Sequence, residues 1–148
     1  MNIYLASDHA GFALKEEIKR YLTARGLQVK DLGPVSFDLE DDYPDYVFPL
    51  AKNVAAVSAS MGIAVGGSGQ GEAIVANKVK GIRAAVYYGG SLDIVRLSRQ
   101  HNDANVLCLG ARFITQEEAI DAVTLWLETD FEGGRHERRI KKIDQIEQ

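Results

Sequence analysis

Short apolar runs alternate with longer amphipathic segments along this chain. Each run is too short for an ordinary helix and long enough for a buried strand. The pattern predicts five strands, at residues 1–7, 27–32, 61–65, 83–88 and 105–109. The segment after the first run has Leu14, Ile18 and Leu22 at helical spacing, followed by Gly26, a residue typical of helix ends. We therefore expect a strand, a loop and a helix in that order.

The remaining segments repeat this alternation. A capping-box signature, Thr115 followed by Glu118, marks the start of one helix. Pro34, Pro44 and Pro49 are expected to mark the boundaries of an acidic, aromatic loop and of the helix that follows it. The predicted helices lie at residues 11–25, about 47–58, after the glycine-rich turn GGSGQGE, at 91–100, at 115–128 and, as a polar tail, at about 135–147.

Strands that alternate with helices at this spacing favour a parallel sheet covered on both faces. The prediction is an α/β fold: one three-layer α/β/α, Rossmann-like domain over residues 1–148, with about five strands and a C-terminal tail helix. In such folds ligands bind beyond the carboxyl ends of the strands. Three segments follow predicted strands: Asp8-His9, the glycine-rich loop and Arg112. We therefore expect the ligand site to be formed there.

The charge and composition of the chain limit its binding partners and the cellular compartment in which it is expected. A net charge of -4 argues against broad binding to nucleic acid or to an anionic membrane. The single cysteine, Cys108, excludes an internal disulfide and suits a reducing compartment. No run of about 18 apolar residues and no export signal is found, so we expect a cytoplasmic protein.

The glycine-rich loop at residues 66–72 allows a ligand to approach the backbone closely, and its amides can cradle an anion. Its glycine spacing fits neither a dinucleotide nor a Walker pattern, so no cofactor is expected. Glu72 adds a carboxylate beside this cradle, and Ser68 adds a hydroxyl. Together they suit proton abstraction next to a carbonyl. Taken singly, a glycine turn that serves packing explains the loop equally well, and a glutamate that merely begins a helix is the better explanation of Glu72.

Histidines and arginines supply further candidates. His9, His101 and His136 are scattered without a metal-ligand pattern, so no metal is expected, and a histidine can instead move a proton near neutral pH. Arg135 and Arg139 lie four residues apart on one face of the tail helix, where they either clamp a phosphate or form a solvated basic face. Arg112 is a possible third phosphate ligand. Cys108 lies inside an apolar run and is expected to be a buried, inert thiol.

Six motifs occur in order along nearly the whole chain: SDHAGF, DYPDY, GGSGQGEAIVANK, GIRAA, SRQHNDANVLCLGAR and FEGGRHERR. Together they closely resemble the ribose-5-phosphate isomerase type B family, which includes allose- and galactose-6-phosphate isomerases. The resemblance implies catalytic roles for Glu72, His101, Ser68 and Asp8. It implies substrate-binding roles for Asp8, His9, Tyr43, Gly67, Ser68, Gly69, Gly71, Asn102, Arg112, Arg135 and Arg139.

The resemblance also implies which residue is the catalytic base and how the subunits associate. One branch of the family has a cysteine base at the position of Gly66, and a second has glycine there and a glutamate base at the position of Glu72. This sequence resembles the second branch. The family further implies a homodimer, sometimes paired into a tetramer. Residues of a neighbouring subunit then complete each site, with His101, Asn102, Arg112 or the tail arginines as candidates.

The expected activity is the reversible conversion of D-ribose 5-phosphate to D-ribulose 5-phosphate through a cis-enediolate. His101 and Asp8 would open the sugar ring, and Glu72 would move the proton from C2 to C1. The alternatives are the same chemistry on allose or galactose 6-phosphate, and a non-catalytic sugar-phosphate sensor or subunit. A nucleotide-binding regulatory domain is a third alternative, suggested only by the fold.

Overall fold

The computed structural model describes residues 1–147, which form five strands and six helices. In chain order these are β1 (Asn2–Ser7), α1 (Phe12–Ala24), β2 (Gln28–Asp31), α2 (Pro44–Ala56), β3 (Met61–Gly66), α3 (Gln70–Ala76), β4 (Ala84–Tyr87), α4 (Asp93–Gln100), β5 (Val106–Gly110), α5 (Gln116–Glu128) and α6 (Arg135–Ile146). Every predicted strand and helix is present. Within the described chain, no helix has the length and apolar character needed to span a membrane.

The five strands form one sheet in the order β2-β1-β3-β5-β4, and all neighbouring strands are parallel. The chain first runs outward from β1 to β2 and then returns to place β3 on the other side of β1. The β1–β3 border is therefore the switch point of the sheet, where the loops after the two strands diverge toward opposite faces. Such a border is the usual ligand position in doubly wound folds.

Two apolar clusters hold the layers together, one on each face of the sheet. On one face α1, α4 and α5 bury Ile18, Val95 and Trp126 against the strands. On the other face α2 and α3 bury Leu50 and Ala76. Each fully buried large side chain contributes on the order of 1.5–3 kcal/mol. The predicted three-layer α/β/α architecture is confirmed.

The start of α2 differs from the prediction. The helix begins at Pro44 rather than near residue 47, and Pro49, which was expected at a boundary, lies inside it. Pro44 occupies the first turn, where a backbone N–H has no partner within the helix, so a proline there is compatible with helix initiation. Pro49 removes one helical hydrogen bond, and burial of the flanking Val47 and Leu50 supports the helix there.

The loop between β2 and α2 is anchored by a fully buried lysine. Lys15 on α1 donates hydrogen bonds to Asp31 Oδ1 at 2.8 Å, Asp31 Oδ2 at 2.9 Å and the Pro34 carbonyl at 2.7 Å. The pKa of Asp31 is lowered: burial opposes this shift, and hydrogen bonds from Lys15, Gly33 and Lys19 outweigh it. This network fixes the start of the loop that carries Tyr43 toward the switch point.

The tail helix α6 makes few contacts with the rest of the chain. It follows Gly133 and Gly134, both at positive φ, a conformation that glycine adopts readily. His136 and Ile140 are its buried residues. Past its end, Glu147 accepts hydrogen bonds from the Gly81 amide at 3.0 and 3.3 Å. The helix therefore presents most of its surface outward.

Candidate active site

The glycine-rich loop crosses the carboxyl ends of β3 and β5 at very close range. Gly69 has a φ of +82°, and a Cβ there would lie 3.0 Å from the Leu109 carbonyl carbon. A Cβ on Gly110 would lie 2.6 Å from the Ser68 carbonyl oxygen. Ser68 Oγ accepts a hydrogen bond from the Gln70 amide at 3.3 Å. Glycine is needed at these two positions because the backbone itself fills the space that a side chain would take.

Glu72 on α3 lies folded against the end of β3. Its carboxylate fills the space beside Gly66. A Cβ added to Gly66 would overlap the carboxylate carbon and both carboxylate oxygens. Only 3% of Glu72 is exposed. Burial raises the pKa of the Glu72 carboxyl, a hydrogen bond from its own backbone opposes the shift, and the charge of Asp8 raises the pKa further. Glu72 is thus a desolvated carboxylate with the properties of a general base.

Asp8 and His9 follow the end of β1, the strand next to β3, and therefore lie beside this loop. Asp8 is buried, and its Oδ1 accepts a hydrogen bond from the Gly11 amide at 3.1 Å. A Cβ on Gly11 would overlap the Val65 carbonyl, so the loop after β1 packs tightly against β3. The effect of Asp8 on the pKa of Glu72 follows from this proximity.

His9 is held by Asp41, a residue outside all of the sequence motifs. Asp41 Oδ1 accepts hydrogen bonds from His9 Nδ1 at 2.7 Å and from the His9 amide at 3.0 Å. The edge of the His9 ring meets Phe37, with 6.1 Å between ring centroids. The only signal in the sequence was the acidic run before Tyr43, and nothing in that run distinguished Asp41 from its acidic neighbours.

Tyr43 and Arg112 also lie beside the glycine-rich loop and complete a first group of site residues around Glu72. The Tyr43 ring lies on Gly71, where a Cβ would be 2.6 Å from the phenol carbon Cζ. The Arg112 guanidinium lies over Gly67, where a Cβ would be 3.0 Å from Nη1. Its charge also acts on the pKa of His9, which it lowers. The structure therefore brings together Asp8, His9, Tyr43, Gly67, Ser68, Gly69, Gly71, Glu72 and Arg112.

His101 and Asn102 lie elsewhere, at the amino edge of the sheet. They follow the end of α4, and the Asn102 carbonyl accepts a hydrogen bond at 2.9 Å from Arg83 Nε, just before β4. Glu72 lies at the carboxyl edge, and the five-residue strand β5 separates the two edges by about 16 Å. Within one chain, the predicted ring-opening histidine does not meet the predicted base.

This second group includes the start of α6. The His101 ring stacks on His136 with 4.1 Å between centroids and 12° between planes, and His101 Nε2 lies 3.5 Å from Glu132 Oε1. The pKa of His136 is lowered, first by burial and then by the charges of His101 and Arg135. Arg135 and Arg139 extend from this end of the molecule and are exposed.

Cys108 lies on β5 with no exposed surface. Burial raises the pKa of its thiol far above the ordinary value, and the charge of Glu72 adds to the shift. A thiol that stays protonated is a poor nucleophile and a poor base. The structure agrees with the expectation of an inert cysteine.

Among residues 1–147, two clusters of side chains bring possible metal-binding atoms within 4.8 Å of one another: Asp8, His9 and Asp41, and His101, Glu132 and His136. In the first, His9 Nδ1 already donates to Asp41. In the second, the two rings are nearly parallel, so the nitrogen lone pairs do not converge on one point. We assign no metal to either cluster.

A buried carboxylate beside a cradle of backbone amides, with an imidazole and a guanidinium close by, defines the class: an acid–base enzyme for a small anionic substrate. Comparison with known proteins gives the family. A family model described as Ribose/Galactose Isomerase matches residues 3–143, and the chain belongs to that family.

Individual relatives support the same family. A probable ribose-5-phosphate isomerase B of Mycoplasma pneumoniae is 49% identical over 141 residues, which cover 95% of this chain and 91% of the relative. Ribose-5-phosphate isomerase B of Escherichia coli is 44% identical over 146 residues, covering 99% of this chain and 96% of the relative. These matches confirm the resemblance and the prediction of an isomerase.

Among solved structures, ribose-5-phosphate isomerase B from Mycoplasma genitalium with bound ribulose-5-phosphate superposes with a TM-score of 0.95. It is 48% identical to this chain, and the match covers 99% of this chain and 95% of that one. The same enzyme from Clostridium thermocellum gives a TM-score of 0.94 at 44% identity, covering 99% and 97%.

Proposed function

We propose that this chain interconverts D-ribose 5-phosphate and D-ribulose 5-phosphate, with Glu72 carrying the proton between C2 and C1. The observation that carries the proposal is the Glu72 carboxylate, 3% exposed and folded against Gly66 at the mouth of the amide cradle. Removal of a proton next to a carbonyl needs a base, and the resulting enediolate needs donors for its charge. Both are present within this one loop and helix.

The other residues of the first group have distinct roles in this proposal. Backbone amides of Gly67, Gly69 and Gly71, with the Ser68 hydroxyl, hold the negative charge of the cis-enediolate. Each fixed donor at a developing oxyanion can contribute on the order of 3 kcal/mol.

The remaining residues of the first group bind the phosphate, line the pocket and assist ring opening. His9 and Arg112 anchor the phosphate, because forked and charge-assisted hydrogen bonds suit a dianion. Tyr43 lines the pocket, and Asp8 assists ring opening.

We further propose that the active enzyme is a homodimer with shared sites, and that dimers can pair into a tetramer. His101 and Asn102 lie at the amino edge of the sheet and Glu72 at its carboxyl edge, and the five-residue strand β5 spans about 16 Å between the two edges. A single chain therefore cannot bring its own His101 to the substrate held at its own Glu72. His101 and Asn102 of one subunit would open the ring at the site of its neighbour, and Arg135 and Arg139 would bind the phosphate there.

The buried single cysteine and the phosphorylated substrate suit a cytoplasmic location.

The proton-transfer role is tested with Glu72→Gln. The amide keeps the shape of the side chain but cannot accept the proton, so turnover is expected to fall by about 10²–10⁴-fold. Exchange of the C2 hydrogen with deuterated solvent should stop, and binding of the sugar phosphate should be retained. Glu117→Gln, an exposed glutamate at the start of α5, is the matched control and should behave as wild type. Normal turnover in Glu72→Gln would refute the assignment. If the wild-type chain itself binds the sugar phosphate but never exchanges the C2 hydrogen, the protein is a sensor and not an isomerase.

The shared site is tested by mixing two inactive variants, Glu72→Gln and His101→Ala. After subunit exchange, each mixed dimer has one site with both substitutions and one intact site. Activity should return to about a quarter of wild type by statistical mixing of symmetric dimers. Mixing Glu72→Gln with Asp8→Asn, both from the first group, should restore nothing. Failure of the first mixture to recover activity, despite demonstrated exchange, would show that each site is built from one chain.

A further inference from the structure

Asp41 is a buried carboxylate that depends on one histidine. Its side chain is 3% exposed, and Oδ1 accepts both the Nδ1 and the backbone hydrogen bonds of His9. Its second oxygen, Oδ2, is buried without a hydrogen-bond partner in the described part of the chain. A carboxylate removed from water needs a compensating positive charge, and His9 is the group that touches it.

This contact determines which forms of the His9 ring are useful. With Nδ1–H directed at Asp41, a neutral ring presents a lone pair at Nε2, and a lone pair repels a phosphate oxygen. The imidazolium form has an N–H on both nitrogens, so it can donate to Asp41 and to an anion simultaneously. The Asp41 contact and the phosphate therefore favour the same protonation state.

The charged groups around His9 are Asp41, Asp8 and Arg112. The pKa of His9 is raised, chiefly through the hydrogen bond to Asp41. Burial opposes the shift, the charges of Asp8 and Asp41 add to it, and the charge of Arg112 opposes it. The Phe37 ring adds an apolar edge and no charge.

We propose that Asp41 is a positioning residue of the phosphate site, which fixes the His9 ring through Nδ1 and holds it as a cation whose Nε2–H binds the substrate phosphate. This inference rests on the proposed function only in taking His9 as a phosphate ligand. It assigns Asp41 no contact with the substrate.

The test compares wild type with Asp41→Asn. Asparagine preserves the size of the side chain and removes its charge, so the ring loses its preference for the cationic form. The His9 signal, assigned with His9→Gln, is titrated by NMR in both proteins without substrate. The pKa of His9 should lie above 6.5 in the wild type and fall in the variant. The wild-type measurement stands even where the variant folds poorly.

Kinetics give a second measurement. KM for ribose 5-phosphate should rise roughly fivefold in Asp41→Asn at about pH 8, because a charge-assisted hydrogen bond is about twice as strong as a neutral one. The difference should vanish below about pH 6, where the ring is protonated in both proteins, and kcat should not change. Asp42→Asn, the exposed neighbour, is the matched control and should leave KM as in wild type.

The outcomes separate this inference from the proposed function. A KM ratio that is constant with pH, or an unshifted His9 pKa, overturns the inference, because Asp41 then acts only on structure. Binding of inorganic phosphate, compared between the two proteins at the same pH, needs no turnover and should weaken in Asp41→Asn. An inactive wild type with the expected NMR shift and phosphate effect would refute the isomerase activity while supporting the role of Asp41.

Discussion

Replacing Gly66 with alanine is expected to displace Glu72, the proposed base, without changing its chemistry. The new methyl group would overlap the Glu72 carboxylate, which must retreat by more than about 1 Å to reach an ordinary contact. Misplacement of a catalytic group by about 1 Å can cost about 10²-fold in rate. We therefore expect kcat to fall by about two orders of magnitude, with KM for the sugar phosphate little changed. Overpacking should also lower the free energy of unfolding by about 1–3 kcal/mol.

The assay follows ketose formation and, separately, exchange of the C2 hydrogen with deuterated solvent. Gly62→Ala is the matched control on the same strand. There a Cβ would lie 2.7 Å from Leu50 Cδ2 and 2.9 Å from Val54 Cγ2, at the amino end of β3 and far from the base. Gly62→Ala should lower the free energy of unfolding and leave kcat intact. The comparison separates loss of stability from displacement of the carboxylate.

Combining the substitutions tests the physical cause. In a Glu72→Gln background, Gly66→Ala should produce little further loss of kcat, because the group that it displaces no longer acts as a base. Residues in contact commonly show such non-additive effects. Fully additive losses, or near-normal kcat in Gly66→Ala alone, would refute the reasoning.

Three further predictions follow from the structure. Asp31→Asn should destabilise the fold by about 3 kcal/mol, measured by urea unfolding, because the buried Lys15 loses its nearest carboxylate and keeps only the partly exposed Glu16, at 3.2 Å, as counter-ion. Because the pKa of Asp31 is lowered in the folded state, this stabilisation is present above the unfolded value of about 3.8 and lost as pH falls through the folded pKa, so the difference should shrink in acid. Cys108→Ala should retain full activity, since the buried thiol stays protonated, and a large loss of kcat would show that Cys108 takes part. Measured kcat/KM should favour ribose 5-phosphate over allose and galactose 6-phosphates, and the reverse order would reassign the substrate.

The fold was predictable because its signals are local. Apolar runs and helical spacing located every strand and helix, and the alternation of the two indicated a parallel sheet. The start of α2 was not predictable from its prolines, since Pro44 is compatible with a first turn and Pro49 is tolerated where neighbouring residues are buried. That tolerance depends on packing, which a linear pattern does not contain.

The site was predictable only in part, for the same reason. Glu72 and the glycine loop are contiguous in sequence, so their proximity follows from one strand–turn–helix unit. Asp41 reaches His9 across 32 positions of sequence, and only the anchored loop after β2 brings them together. The separation of His101 from Glu72 is likewise a property of the fold, because it depends on which end of the sheet each loop follows.

The crowding between Gly66 and Glu72 has a consequence for how such enzymes diverge. The family resemblance implies a cysteine base at one of these positions or a glutamate base at the other, and the structure shows that the two side chains compete for one volume. A lineage that gains the thiol first displaces its carboxylate, and one that loses the carboxylate first has no base. A change from one base to the other therefore needs substitutions at both positions, because the two side chains cannot occupy this volume together.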